Sequence, residues 1–358
     1  MPGAPSFEIS LRGTNPNEAS RLQGNISHEA RSIMVLRRSV TAGLLLAAAS
    51  LSLGSPTLAA ETYPAHPVTI LTPFAAGSVT DAAARLLAQT LQEALGQPFI
   101  VENRAGAGGL IAAAAVARAK NDGYTLLLTT NSTHSAANGL FKSVPYDPIK
   151  DFTAIARIGS FPSFIGVTPD KPYQSIKALV DYAKANPGKL SYGVGNSTSY
   201  ITGETLKKRT GTDIVRVSYR SNPMVITDLL GGQIQFMIPD FNTGIPQLKA
   251  GKINALAVLT KDRNRTLPDV PTLDETVMPG FDILAWAGVF GPANLPPDVV
   301  KVLAEQIHKA LQTEAMRQKF QSSGTEVFWS GPTEFDAFVK SELVKWTAYI
   351  KEAGIEPQ

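Results

Sequence analysis

The sequence contains no cysteine and only four histidines among 358 residues. The first absence excludes disulfides, thiolate metal sites and a cysteine nucleophile. The second leaves little material for imidazole chemistry. An excess of one charge is also missing. The formal net charge of +3 owes most to residues 1–60, which hold five Arg against three Glu. The remainder is close to neutral, which is no footprint of nucleic-acid binding. Long apolar runs are scarce too: the one that stands out, Val40 to Gly54, is fifteen residues long, short of the ~20 that a membrane span needs.

That run has a different meaning. Arg37-Arg38 precedes it and Thr57-Leu-Ala-Ala60 comes after it, so a basic flank, an apolar core and a small-residue cleavage site stand in the order of a secretory signal peptide. Residues 1–33 are polar and unpatterned ahead of it, and a start at Met34 would give an ordinary signal (MVLRRS). The paired arginines fit general secretion and twin-arginine export alike. The expectation is an exported, periplasmic protein, cleaved near Ala59 or Ala60.

The chain beyond residue 60 is long enough for two domains. It alternates strand and helix patterns from Tyr63 onward, which predicts an α/β fold with largely parallel sheets. The opening unit carries the most information. Val68 to Leu71 reads as a buried strand. Asp81 to Leu95 places Ala84, Leu87, Leu91 and Leu95 at helical spacing, with Gly96 as the stop. The turn between them is small and polar, with Gly77, Ser78, Thr80 and Asp81. A strand running through such a turn into a helix aims unpaired N–H groups and the positive end of the helix dipole at one point, a seat for an anion. The same residues equally suit a turn that only caps its own helix.

The theme recurs. Tyr124 to Thr129 is a strand ending in Thr130-Asn-Ser-Thr-His134, and Leu190 to Val194 leads into Gly195-Asn-Ser-Thr-Ser199. Further strands are expected at 152–158, 164–167, 214–219, 234–238, 253–259 and 283–290, with closing helices at 298–311, 315–322 and 333–352. The strand regions near 152–158 and 283–290 are natural crossings between two lobes. Gly106-Ala-Gly108-Gly109 lacks the third glycine of a dinucleotide fingerprint and the Gly-Lys-Ser/Thr of a phosphate loop, so it reads as a tight turn.

Catalytic sets are nearly absent. His66, His134 and His308 do not stand at metal-ligand spacing. His308 reads as a partly exposed helix residue. His134 is the one candidate general base, in what reads as a polar loop, and no nucleophile elbow accompanies it, since Gly195 to Ser199 is not Gly-x-Ser-x-Gly. Asp81 and Arg85 are spaced as a surface ion pair. Ligands of α/β sheets bind beyond the carboxyl ends of strands, so the polar turns at 74–81, 131–134 and 195–199, with Asp240, are expected to face one cleft. Donors without a base or metal suit a receptor better than an enzyme.

From Tyr63 to Ile355 the chain resembles the substrate-binding receptors of tripartite tricarboxylate transporters, the Bug group. The motifs that carry the resemblance are Pro73-Phe to Thr80-Asp81 with Ala84-Arg85, Val101-Glu-Asn-Arg-Ala-Gly-Ala-Gly-Gly109, Asp122-Gly-Tyr-Thr-Leu126 and Pro145-Tyr-Asp-Pro148 with Lys150-Asp-Phe152. Ala185-Asn-Pro-Gly-Lys-Leu-Ser-Tyr192, Thr227-Asp-Leu-Leu-Gly-Gly-Gln233, Lys249-Ala-Gly-Lys252 and Leu267-Pro-Asp-Val-Pro-Thr272 come next in order.

The resemblance implies a two-lobed periplasmic binding protein (type II, Venus-flytrap) with its cleft between α/β lobes, 61–158 with 285–358 as one and 159–284 as the other. It implies that Phe74, Ala75, Gly77, Ser78, Thr80 and Asp81 grip a carboxylate with Asn131 and Ser132 beside it, and that Gly195, Ser197, Thr198 and Ser199 reach in from the second lobe. The ligand class it implies is a di- or tricarboxylate, an acidic amino acid or a related acid. No cofactor is expected. The partners expected are the transporter's membrane subunits or, alternatively, a sensor kinase, with the receptor itself a monomer; a hydrolase or lyase using His134 is the remote rival. The chain departs from the family in reading Ala76-Gly77-Ser78 where Pro-Gly-Gly is usual, and Pro239-Asp240 where many have Asp-Asn. Asp240 then either contacts the ligand, favouring one with a hydroxyl or ammonium group, or caps the helix near Thr243.

Overall fold

A computed structural model describes residues 63–358; the signal peptide, the start at Met34 and the cleavage site lie outside the described residues. Among the described residues eleven strands form two sheets. The first holds β1 (Val68–Thr72), β2 (Phe99–Asn103), β3 (Thr125–Thr130), β4 (Phe152–Phe161), β10 (Ala285–Pro292) and β11 (Glu326–Ser330), in the order β11-β4-β10-β3-β1-β2. The second holds β5 (Phe164–Val167), β6 (Leu190–Val194), β7 (Ile214–Ser218), β8 (Phe236–Met237) and β9 (Asn254–Val258), in the order β7-β6-β8-β5-β9.

The expectation of largely parallel sheets needs correction. β1 runs parallel to β2 and β3, and β6 to β7 and β8. β10 is antiparallel to both its neighbours, β11 to β4, and β5 to β8 and β9. The reason is the route of the chain. β4 passes through Pro162-Ser163 straight into β5 of the other sheet, with no crossover helix to restore its direction, and β10 brings the chain back. Local pattern fixes a strand's existence, but its neighbour is a tertiary matter.

Each sheet is covered on both faces, as a parallel-rich sheet requires. Successive residues of β1 point to opposite sides. Ile70 therefore packs with Leu87 and Leu91 of α1 (Val79–Leu95), while Leu71 packs on the other side with Ala113 of α2 (Leu110–Ala117). In the second sheet Tyr192 and Phe236 stack and pack under α4 (Ile176–Ala185) and α5 (Ser197–Thr210). Phe164 and Met237 face α6 (Asn222–Leu230) and α7 (Phe241–Lys249). A four-residue α3 (Ala137–Leu140) comes after β3, and α8 (Pro297–Gln312), α9 (Glu314–Ser322) and α10 (Pro332–Ala353) close the chain.

Three details differ from the sequence reading. β11 is an additional strand, short and at a sheet edge, with Phe328 exposed. β8 holds only Phe236–Met237, shorter than the strand expected at 234–238. The segment after β3 is no loop: Ser132–Ala136 forms a wide helical turn that runs on into α3.

α10 is common to both sheets. Phe335 and Val339 in its first half belong to the core of the first. Trp346, Ile350 and Ala353 in its second half pack with Tyr192 and Ile201 under the other.

Candidate functional site

The turn after β1 is held by its own side chains. Gly77 sits at φ 79°, a left-handed conformation that favours glycine. Its N–H donates to Asp81 Oδ2 at 2.9 Å, and Ser78 Oγ caps α1 by accepting from the Asp81 N–H at 3.3 Å. Two amides of the first helical turn, those of Val79 and Thr80, take no acceptor among the described residues. They are two of the orphan donors that every helix start leaves, and with the Ser78 and Thr80 hydroxyls, 3.1 Å apart, they make a donor-rich wall.

Asp81 is not the surface partner that its spacing from Arg85 suggests. The carboxylate is buried, 2.9 Å from the Arg85 guanidinium and 3.0 Å from the Asn103 amide of β2. Burial would raise the Asp81 carboxyl, but the Arg85, Gly77 and Asn103 donors outweigh it and hold it below the usual carboxylate range. Asp81 therefore braces the turn from behind.

Asn131 and Ser132, at the end of β3, face the second sheet. Asn131 Nδ2 donates to Ser197 Oγ at 2.8 Å, and Ser132 Oγ lies 2.8 Å from the same oxygen. Asn242 Nδ2 makes another link between elements of the two sheets, donating to Gly77 O at 3.1 Å.

The Gly195–Ser199 turn differs from the first in one respect that the sequence did not disclose. Ser199 Oγ accepts from the amides of both Gly195 and Asn196 at 3.2 Å, while Asn196 Oδ1 caps α5 by accepting from the Ser199 N–H at 2.9 Å. Those two amides are satisfied internally, but the Thr198 N–H in the first turn of α5 takes no acceptor among the described residues, so this turn too offers an orphan donor beside its side chains. Its glycine is needed for close approach. A Cβ on Gly195 would lie 2.3 Å from Asn222 Oδ1 and 2.6 Å from the Asn222 backbone nitrogen.

Asp240 does cap its helix: Oδ1 accepts from the Thr243 N–H at 2.9 Å. Oδ2 accepts from Asn222 Nδ2 at 2.6 Å. The group is buried, and burial pushes its carboxyl up against the pull of these hydrogen bonds. Capping does not turn Asp240 away from the cleft, because the same residue lines a cavity there.

The turns meet around this cavity, which is small, has both polar and apolar walls, and lies between the sheets. Phe74, Ser78, Val79 and Thr80 line it from one side, with Asn131 and Ser132, while Gly195, Thr198, Ser221, Asn222 and Asp240 line it from the other. The free space is about 30 Å³, room for about two water molecules. Three buried oxygens of the lining residues, Asn131 Oδ1, Ser221 Oγ and Asn222 Oδ1, have no hydrogen-bond partner among the described residues. Unpaired buried polar atoms are uncommon in folded proteins, and these gather at one place.

Of the residues expected at the site, Phe74, Ser78, Thr80, Asn131, Ser132, Gly195, Thr198 and Asp240 line this cavity. Ser197 stands at its edge and lines a second, adjoining one. Ala75, Gly77, Asp81 and Ser199 line neither; the last three shape the turns. Val79, Ser221 and Asn222 were missed, as were Thr130, Phe161, Ser163, Asn196 and Ala285, which also line it. Ser221-Asn222-Pro223 has the same signature as the other turns, a strand followed by capping residues with Pro at the helix start.

His134 is a core residue rather than a general base. It is fully buried and stacked on Phe290 with ring centroids 4.0 Å apart, with Phe152 edge-on at 4.5 Å and Thr133 Oγ1 2.8 Å from Nδ1. Burial pulls its pKa down to about 3, and it lines neither cavity. His308 is half-buried, its ring stacked on Trp329. Among the described residues there is no acidic or imidazole cluster that could hold a metal ion.

The family model described as tripartite tricarboxylate transporter family receptor matches residues 83–355. The chain belongs to that family. Protein BugT of Bordetella pertussis is 34% identical over 300 residues, which is 83% of this chain and 92% of that one. Among solved structures, Rpa4515 of R. palustris with adipate has a TM-score of 0.80 at 33% identity, covering 83% of this chain and all of the other. The periplasmic binding protein BugD gives a TM-score of 0.79 at 34% identity over 83% of this chain and all of its own. MatC of Rhodopseudomonas palustris with bound malate gives 0.76 at 30% over 80% of this chain and all of that one.

The fold is therefore that of a two-lobed periplasmic binding protein, and the chain is a solute-binding receptor of the Bug group, not an enzyme. No helix among the described residues is long and apolar enough to cross a membrane.

Proposed function

We propose that this receptor captures a small organic carboxylate bearing a hydroxyl or amino group and delivers it to the membrane subunits of a tripartite transporter. One observation carries the reading: the free Val79 and Thr80 amides share a cavity with Asp240 and the unpartnered oxygens of Ser221 and Asn222. Donors on one wall suit a carboxylate. On the other wall Asp240 and Asn222 Oδ1 accept, which suits a ligand group that gives a hydrogen bond, while the Ser221 hydroxyl can give or accept one. Malate in MatC is a hydroxy acid of this kind.

The lobes are 61–158 with 285–358, and 159–284. They part to admit ligand and close on it, since about 30 Å³ is too little for a whole dicarboxylate. A ligand touching both walls favours the closed state by its differential affinity. Four charge-assisted hydrogen bonds at ~1.5–3 kcal/mol each span a range that includes the roughly 8 kcal/mol of micromolar binding. The leader is removed near Ala59 or Ala60, and the exported chain works as a monomer in the periplasm.

The test is calorimetry of the chain beginning at Glu61 with succinate, malate and aspartate. Malate or aspartate should bind at least tenfold more tightly than succinate. Asp240→Asn keeps a capping side chain and should erase that preference by weakening the first two and strengthening succinate. Equal affinities in the unaltered protein, or binding of none of the three, would refute the reading.

A further inference from the structure

A second cavity adjoins the first and is built differently. It has about 230 Å³ of free space, against about 30 Å³ for its neighbour. Leu140, Phe141, Val194 and the rings of Tyr200 and Tyr219 form its apolar walls. Those rings are held in place. Tyr219 donates to Asp228 at 2.7 Å, and Tyr200 carries the Arg216 guanidinium over its face and accepts from Gln358 Nε2. Gly108 lets the backbone approach the Phe141 ring, which a Cβ would meet at 2.8 Å. The one charged side chain of the lining, Arg220, is exposed at the rim and forms no ion pair among the described residues.

The two cavities share Ser132, Gly195 and Asn196. What separates them is one residue thick: the Asn131–Ser197 and Ser132–Ser197 contacts at 2.8 Å, with the Ser197 N–H 3.4 Å from Ser132 Oγ. Every one of these bonds joins a residue after β3 to one after β6, in different sheets. Parting the sheets breaks all of them and merges the chambers.

We infer that the chambers are head and tail compartments of one site, and that the tail compartment takes a ring-sized apolar group carried by the ligand. This rests on the proposed capture of a carboxylate head group by the smaller chamber. The small chamber matches the two oxygens of a carboxylate. The larger one exceeds the 150 Å³ of an engineered apolar cavity that binds benzene. Its walls bury no charge, so carbon rather than a second carboxylate belongs there. The ligand class is a 2-hydroxy or 2-amino acid with an aromatic or comparably bulky side chain.

Lactate and 3-phenyllactate share a head and differ only in the ring, so calorimetry of both against the chain from Glu61 is the test, with malate and adipate beside them. Phenyllactate should bind at least tenfold more tightly than lactate, with a more negative heat-capacity change, the mark of apolar burial. Ser218, exposed at the end of β7, lines the tail compartment, and Ser218→Trp should fill it. That variant should bring phenyllactate down to the affinity of lactate and leave lactate, which has no group to place there, unchanged. The heat-capacity comparison needs no variant and stands if Ser218→Trp fails to fold.

Phenyllactate no tighter than lactate, or unaffected by a folded Ser218→Trp protein, would overturn the tail compartment while lactate binding upheld the head. Adipate tighter than phenyllactate would overturn it in favour of an outer carboxylate at Arg220. Failure of every acid to bind would end both readings.

Discussion

The hydroxyl oxygens of Ser132 and Ser197 lie 2.8 Å apart, one beyond β3 of the first sheet and the other at the start of α5 on the second. Sixty-five positions separate them in sequence, and Asn131 joins the same contact. They form a latch across the cleft with neutral hydrogen bonds, each contributing ~0.5–1.5 kcal/mol.

Ser197→Ala should therefore shift the unliganded receptor toward the open state by roughly two- to tenfold per bond lost. Small-angle scattering of the chain from Glu61 would read this as a larger radius of gyration. Identical radii for variant and parent would show that the latch does not hold the closed form.

Gly195→Ala tests the close approach beneath the site. The new Cβ would press on the Asn222 backbone nitrogen at 2.6 Å, so the start of α6 must move and draw Asn222 away from Asp240. Overpacking of this kind costs about 1–3 kcal/mol, readable as a lower denaturant midpoint, and malate binding should fall at least tenfold. Parental affinity would show that the Asn222–Asp240 contact is dispensable.

His134 ties stability to pH. The unfolded chain has an ordinary imidazole near 6.5, while the folded value is about 3. Below about 6.5 the unfolded state takes up a proton that the folded state refuses. The stabilisation is thus full above that pH and is lost as pH falls toward 3. From pH 7 to pH 5 the loss attributable to His134 is about 2 kcal/mol. His134→Phe should flatten the fall by that amount in urea titrations at the two pH values; an unchanged difference would mean that the imidazole protonates in place.

How much of the site the sequence disclosed depends on the reach of each interaction. Ser78, Thr80 and Asp240 were legible because a capping residue and its helix are neighbours in the chain. The role of Asp81 was not, because the Asn103 amide that draws it inward comes from β2. His134 lies in a polar stretch and looked accessible, yet Phe152 and Phe290 arrive from distant strands to cover it. The antiparallel pairings escaped for the same reason, since nothing within β4 or β10 specifies its partner. Ser221 and Asn222 were within reach, their strand-to-helix signature being the one already recognised at three other turns.

α10 bears on how such a receptor can move at all. Its first half is rooted in one core and its second half, through Trp346 and Ile350, in the other. Pulling either large side chain free would forfeit roughly 1.5–3 kcal/mol, at least as much as any single hydrogen bond of the serine latch. The sheets cannot come apart like loose pages. Any opening that keeps both roots in place is limited by the length of that helix, which bounds the width of the gap and so the bulk of what can pass.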